Sequence, residues 1–195
     1  MQYCRATVPG MARPLAFNRV HAVLARLDAA ELNACLHFNA VVRRVQILRL
    51  FRVASRLGDG VLWYSLTACL ALFYGPEGRT AALQCAVAGV AGLLLYRGLK
   101  NVLVRERPFI THHAVVCAAR PLDRFSFPSG HTLHAVSFTL IICSAVPAAA
   151  LLLVPAALLI ALSRVVLGLH YPSDVLAGAL LGAGIAHAAL HWIVL

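Results

Sequence analysis

Apolar residues fall along this chain in long unbroken blocks. Gly60–Gly75 carries no charge over 16 residues, with Trp63, Tyr64 and Tyr74 near its ends, where aromatic belts sit at membrane interfaces. Thr80–Tyr96 is a second uncharged block, of 17 residues, close to the usual spanning minimum. Residues 132–163 form one uncharged run of 32, too long for a single crossing. Pro147 sits in its middle and interrupts the backbone ladder, so the run reads as a tight helical hairpin. A last block runs from Pro172 to Leu195. The pattern predicts an all-α integral-membrane bundle of about five transmembrane helices.

The first third reads differently. From Ala30 to Leu57 apolar residues recur at helical spacing, as in Val41, Val45, Leu48 and Val53, and arginines occupy much of the remainder. This predicts an amphipathic helix lying on the membrane surface. The chain thus divides into a basic interfacial region, 1–59, and a transmembrane domain, 60–195, with a long connection over 97–128. No charged stub precedes a short apolar segment at the start, so no cleavable signal peptide is expected.

Composition supports the membrane reading. Hydrophobic residues make up 61% and charged residues 12%, with mean hydropathy +0.82. A soluble domain carries about 25% charge, so a soluble globule and intrinsic disorder are both excluded. The net charge of +10 does not indicate a nucleic-acid partner. Nine of the seventeen Lys and Arg lie in residues 1–59, and most others in the 97–128 connection, flanking apolar blocks as membrane insertion selects. The six cysteines show no CxxC pair and no zinc spacing, and read as small hydrophobes rather than disulfide partners. Small residues four apart, Ala88/Gly92 and Gly178/Gly182, permit close helix contact, within the chain or across a homodimer.

Within this apolar background a few polar residues stand out. Between Phe125 and Leu195 the only formal charges are Arg164 and Asp174, and they bracket His170. Charges near a bilayer are costly and mark function by default. Lys100, the single lysine, ends the second block, seven residues before Arg107-Pro108. The connection also carries Arg97, Arg105, Arg120 and Arg124, and it ends in Pro128-Ser129-Gly130-His131. Free N–H groups at the helix start there make an anion site. Because successive spans alternate in direction, Lys100 and Arg107, Ser129 and His131, Arg164, and His170 and Asp174 all emerge on one face. Cations and N–H donors call for a tetrahedral oxyanion, and two histidines allow one to attack and one to protonate. This predicts phosphoryl transfer at a membrane surface. His112, His113, His134, His187 and His191 are assigned to the loop, packing and interfaces.

The strings Lys100-x6-Arg107-Pro108, Pro128-Ser129-Gly130-His131 and Ser163-Arg164-x5-His170-x3-Asp174 resemble the three-part signature of the type 2 phosphatidic acid phosphatases, a superfamily that includes the vanadium haloperoxidases. The small size resembles bacterial undecaprenyl-diphosphate and phosphatidylglycerophosphate phosphatases. The resemblance implies that His170 attacks phosphorus to form a phosphohistidine. Asp174 would accept the other ring N–H of His170, and His131 would protonate the leaving oxygen. Lys100, Arg107, Arg164, Ser129 and Gly130 would hold the phosphoryl oxygens, with no metal and no cofactor.

The expected partners are a lipid phosphate substrate and membrane lipids, with a homodimer as a further possibility. Two other classes share parts of the pattern. A vanadium-dependent haloperoxidase uses the same anion cradle but is soluble, and a transporter would place its polar residues mid-span. The expected location is the bacterial cytoplasmic membrane. The arginines of residues 1–56 argue for a cytoplasmic N-terminus, and five spans put the site on that same face. The family resemblance argues for the periplasmic or outer face, which is the expectation adopted from it.

Overall fold

The computed structural model describes residues 15–193. Its helices are α1 (Leu15–Asn39), α2 (Val45–Leu57), α3 (Val61–Phe73), α4 (Gly75–Leu103), the short α5 (Pro108–Thr111), α6 (Gly130–Ala145), α7 (Ala150–Val166) and α8 (Pro172–Trp192). Single 3-10 turns precede α2 and α7. α4, α8 and the unit Pro147–Val166 are long and apolar enough to cross a membrane, and α3 and α6 are shorter apolar helices.

These five apolar helices match the five blocks of the sequence, with shifted ends. The second runs to Leu103, where Val104 caps it at a left-handed φ of 47°. The site loop therefore begins near residue 104 rather than 97, and Lys100 occupies a helix's last turn. The 132–163 run breaks at Pro147 as its ring geometry requires. The expected single amphipathic helix over 30–57 is instead two helices. Asn39 ends α1, because its amide donates to the carbonyls of Val116 and Val166 and accepts from the Val116 N–H. That three-way anchor turns the chain, and α2 starts afresh at Val45.

α6 lies at the centre of the bundle. Its contact with α8 is a backbone seam: a Cβ on Gly178 would lie 2.5 Å from the Ser129 carbonyl oxygen, and one on Gly182 2.3 Å from that of Leu133. Gly92 receives the Leu133 side chain from the α4 side. The small residues picked out by spacing thus serve packing within the chain. α1 and α2 dock at one end of this core. Phe51, Ala54 and Ser55 of α2 are buried there, with Phe51 in a cluster with Val166, Leu167 and Leu169. Arg43, Arg44, Arg49, Arg52 and Arg56 remain exposed beside Val45, Leu50, Val53 and Leu57.

Candidate active site

The loop ends at this same face of the bundle and encloses a cavity of about 600 Å³. Lys100 comes from the last turn of α4, Arg107 from the loop, Gly130 and His131 from the first turn of α6, Arg164 from α7, and His170 from the turn before α8; all six line the cavity. The cavity continues along α3 and α4 past Trp63, Tyr64, Ala68, Ala71, Gly89 and Ala86. Lys100 and Ala86 are fourteen residues apart, about 21 Å of helix. One end is cationic, and the rest is apolar and aromatic.

His170 is 1% exposed. Its Nε2 lies 3.2 Å from a terminal nitrogen of Arg107, which also donates to the Leu169 carbonyl. A guanidinium only donates, so Nε2 carries the lone pair and Nδ1 the hydrogen. Burial, then the charges of Arg107, Arg164 and Lys100, hold the His170 pKa well below its ordinary value. The ring is therefore neutral and nucleophilic near pH 7.

Asp174 lies in the first turn of α8, after Pro172 at its start, so its approach to His170 joins a turn to a helix start. The separation from His170 Nδ1 is 3.6 Å, longer than the hydrogen bond expected there. Asp174 is held elsewhere. One oxygen accepts the Tyr171 N–H at 2.8 Å, and the other pairs with Arg105 at 2.6 Å. Arg105 is buried, donates to Ser173, pairs with Asp28 and Glu31 of α1, and stacks 4.1 Å from the centre of the Tyr171 ring. Glu31 in turn accepts from the N–H and hydroxyl of Ser173. One guanidinium thus ties α1, the loop and the start of α8 together.

The other cations have partners too. Asp123 accepts from Lys100 at 2.8 Å and Arg107 at 2.8 Å. Burial raises the Asp123 carboxyl, but Lys100 and Arg107 outweigh it and hold the pKa below its usual value. Asp123 lines the cavity, so it places an anion between two cations of the cradle. Arg164 donates to Ser55 of α2, and its buried Nε has no protein partner. His131 Nε2 lies 2.6 Å from Asp59.

Of the residues singled out in the sequence, Ser129 and Asp174 are fully buried and stand behind the cavity wall. The Ser129 hydroxyl meets Thr132 at 3.0 Å, so its expected part in the cradle is not made in this arrangement. Gly130 faces the cavity, against the Tyr96 ring. His134 lines the wall and bonds the Gly89 carbonyl. His112 and His113 are not on the wall. His187 and His191 stack at the C-terminal end of α8, away from the site. Sequence reasoning missed Asp59, Asp123, Arg105, Asp28, Glu31 and Ser55. One signal could have found the acids: the chain has only seven, and six of them lie at this end.

A family model for the PAP2 superfamily matches residues 81–195. A decaprenylphosphoryl-5-phosphoribose phosphatase of Mycolicibacterium smegmatis is 33% identical over 71% of this chain and 75% of its own length. An undecaprenyl-diphosphatase of Sulfolobus acidocaldarius is 31% identical over 68% of this chain and 64% of its own. The crystal structure of a transmembrane PAP2-type phosphatidylglycerolphosphate phosphatase from Bacillus subtilis superposes with a TM-score of 0.69 at 22% identity, covering 91% of this chain and 92% of that one, and shows the same fold.

Proposed function

Because the chain belongs to the PAP2 superfamily, we propose that its cavity hydrolyses the phosphomonoester or diphosphate of a long-chain lipid through a phosphohistidine intermediate. The enzyme is a membrane lipid phosphatase. The observation that carries the substrate reading is the shape of the cavity. A cationic head end joins an apolar run between α3 and α4, the two together about 21 Å long, matching a phosphate on one long chain. Relatives named for polyprenyl substrates agree with a single chain, and put polyprenyl phosphates ahead of two-chain phospholipids such as phosphatidylglycerophosphate or phosphatidic acid.

In this reading the substrate phosphoryl group displaces the Asp123 carboxylate and bonds Lys100, Arg107, Arg164 and the Gly130 N–H. His170 Nε2 attacks phosphorus while its Nδ1–H faces Asp174. His131 protonates the leaving oxygen, then helps water attack the phosphohistidine. Fixed cations carry the charge stabilisation, so no metal takes part. The apolar run favours a lipid phosphatase over haloperoxidase chemistry. Purified enzyme in detergent, assayed on a panel of lipid phosphates and diphosphates, tests the reading. Phosphate release from water-soluble esters alone would sink it.

The location we infer is the bacterial cytoplasmic membrane. The family resemblance favoured a periplasmic site. A property of this chain points the other way, and we adopt it. Exposed Arg43, Arg44, Arg49, Arg52, Arg56, Arg97, Arg120 and Arg124 accompany the site end, while Arg79, at the start of α4, stands alone at the other end among residues 40–193. The positive-inside rule then puts the site in the cytoplasm. Cys117, exposed in the site loop, is a built-in probe. With the other cysteines replaced, it should resist a membrane-impermeant maleimide in intact spheroplasts and react after permeabilisation. Labelling in intact spheroplasts would restore the periplasmic assignment.

A further inference from the structure

Between the basic helices and the first apolar helix the chain reads Gly58-Asp59-Gly60. Both glycines are required by the geometry. A Cβ on Gly58 would lie 2.8 Å from Cδ2 of His131 and 2.9 Å from Ile160, and Gly60 has φ +116°. The turn therefore lies flush against the edge of the His131 ring that carries Cδ2 and Nε2. At that edge the Asp59 carboxylate meets Nε2 at 2.6 Å. The hydrogen bond to His131 leads the causes that hold the Asp59 carboxyl below its ordinary value, against a partial burial. Asp59 is thus an acceptor only, and Nε2 must carry the hydrogen.

His131 needs such a partner. Lys100 of α4, Arg107 of the loop, Arg164 of α7 and the neutral His170 ring line the same cavity. Of the two carboxylates on that wall, Asp123 is bonded to Lys100 and Arg107. Asp59 is the one bonded to His131.

We propose that Asp59 is a positioning residue: it holds the Nε2–H of His131 and favours the protonated ring once the substrate phosphate offsets the charges of Lys100, Arg107 and Arg164, so that Nδ1 delivers its proton to the leaving lipid oxygen. This rests on the lipid-phosphatase reading. As His170 Nε2 bonds to phosphorus, the bond from phosphorus to the lipid oxygen breaks and its electron pair goes to that oxygen. The oxygen takes the Nδ1 proton and leaves as an alcohol. His131 is left neutral, still donating Nε2–H to Asp59. Its free Nδ1 then takes a proton from the water that hydrolyses the phosphohistidine.

The test uses full-length enzyme in detergent and two substrates. One is a polyprenyl monophosphate, whose leaving alkoxide needs a proton. The other is p-nitrophenyl phosphate, whose leaving oxygen does not. Asp59→Asn should lower kcat/KM on the lipid on the order of 10²-fold, through kcat with KM little changed. It should largely spare kcat/KM on the aryl ester, because that ratio is set by phosphohistidine formation, before His131 acts on water. Asp59→Glu, which keeps the carboxylate, should recover part of the loss. Placed on His131→Ala, Asp59→Asn should add no further loss, because a residue acting through another has nothing left to act on. Equal losses of kcat/KM on both substrates, or a full further loss in the His131→Ala background, would overturn the inference. Wild type is read first. If it releases no phosphate from any lipid, the lipid reading falls and takes the inference with it. Normal wild-type turnover with an unselective Asp59→Asn overturns the inference alone.

Discussion

His170 and His131 each have a carboxylate nearby, yet the two carboxylates sit in opposite surroundings. Asp174 has a side-chain exposure of 0% and lies behind Arg105, whose own side chain is 1% exposed. Asp59 stands on the cavity wall with 44% of its side chain exposed. Asp174 bonds a backbone N–H and a buried guanidinium, and approaches its histidine only to 3.6 Å. Asp59 bonds its histidine at 2.6 Å. The deep carboxylate is mainly an architectural node that fixes where the His170 turn and α8 begin. The exposed one is free to follow a ring that must lose and regain a proton in each turnover. A site that forms and breaks a covalent bond at one histidine needs rigidity there, and mobility of charge at the other.

The comparison breaks most sharply at His170. His170→Ala should abolish turnover and the acid-labile phosphoenzyme, a loss of at least about 10⁴-fold, since the covalent route disappears. Trapping with radiolabelled substrate and acid quench checks it. Retention of more than a few per cent of activity would refute the assigned role.

The buried node is next. Arg105→Ala leaves Asp174 uncompensated and strands Asp28 and Glu31, so it should cost about 3–5 kcal/mol of stability. A thermal melt in detergent reads this out, and adding Asp174→Asn should recover part of it. An unchanged melting temperature would mean that water reaches Asp174 and that it is not the node described.

The pH profile sharpens the contrast on the nucleophile's side. The neutral His170 ring attacks, and its pKa is held well below its ordinary value by burial and by Arg107, Arg164 and Lys100. Protonation therefore stops attack only well below about pH 6.5, the usual imidazole midpoint. On an aryl ester that needs no general acid, kcat/KM should stay level as pH falls through that value. Arg107→Ala lowers activity but removes a cation from Nε2, so the acid limb should move to higher pH. A wild-type limb at the ordinary histidine position would contradict the burial of the ring.

The smallest effect concerns the anion already in the cradle. Vanadate should inhibit, as a five-coordinate mimic of the transition state, and activity should survive excess EDTA because fixed cations replace a metal. Asp123→Asn removes the internal competitor for Lys100 and Arg107. The vanadate inhibition constant should then fall by about 2–5-fold, the scale of a partly exposed ion pair. Strict magnesium dependence without vanadate inhibition would show that the cations do not form the cradle.

Much of this was legible in the sequence. Five apolar blocks gave five apolar helices, because in a bilayer length and apolarity leave the backbone little choice. Pro147 marked the hairpin. Lys100, Arg107, His131, Arg164 and His170 stood out because charge and imidazole are rare among apolar spans. The break at Asn39 was not legible, since it depends on carbonyls 77 and 127 residues away. Arg105 was seen as a loop cation, but its partners Asp28 and Glu31 lie 77 and 74 residues before it, in a helix that reads as interfacial. Asp59 falls just after the basic helices, and its partner His131 is 72 residues further on. One sequence shows which residues are costly to bury, but not which distant residue meets them.

The glycine seam between α8 and α6 also bears on engineering. With Gly178 and Gly182 set against the carbonyls of Ser129 and Leu133, the span from the His170 turn to the first turn of α6 is fixed by main chain meeting main chain. No side chain mediates, so none can be trimmed or swapped to retune it. The outward faces, Leu151, Leu152 and Leu158 of α7 and Leu176 and Leu180 of α8, touch none of this. A water-soluble version of the enzyme could be sought by recolouring those lipid-facing positions with charge while every glycine of the seam is kept.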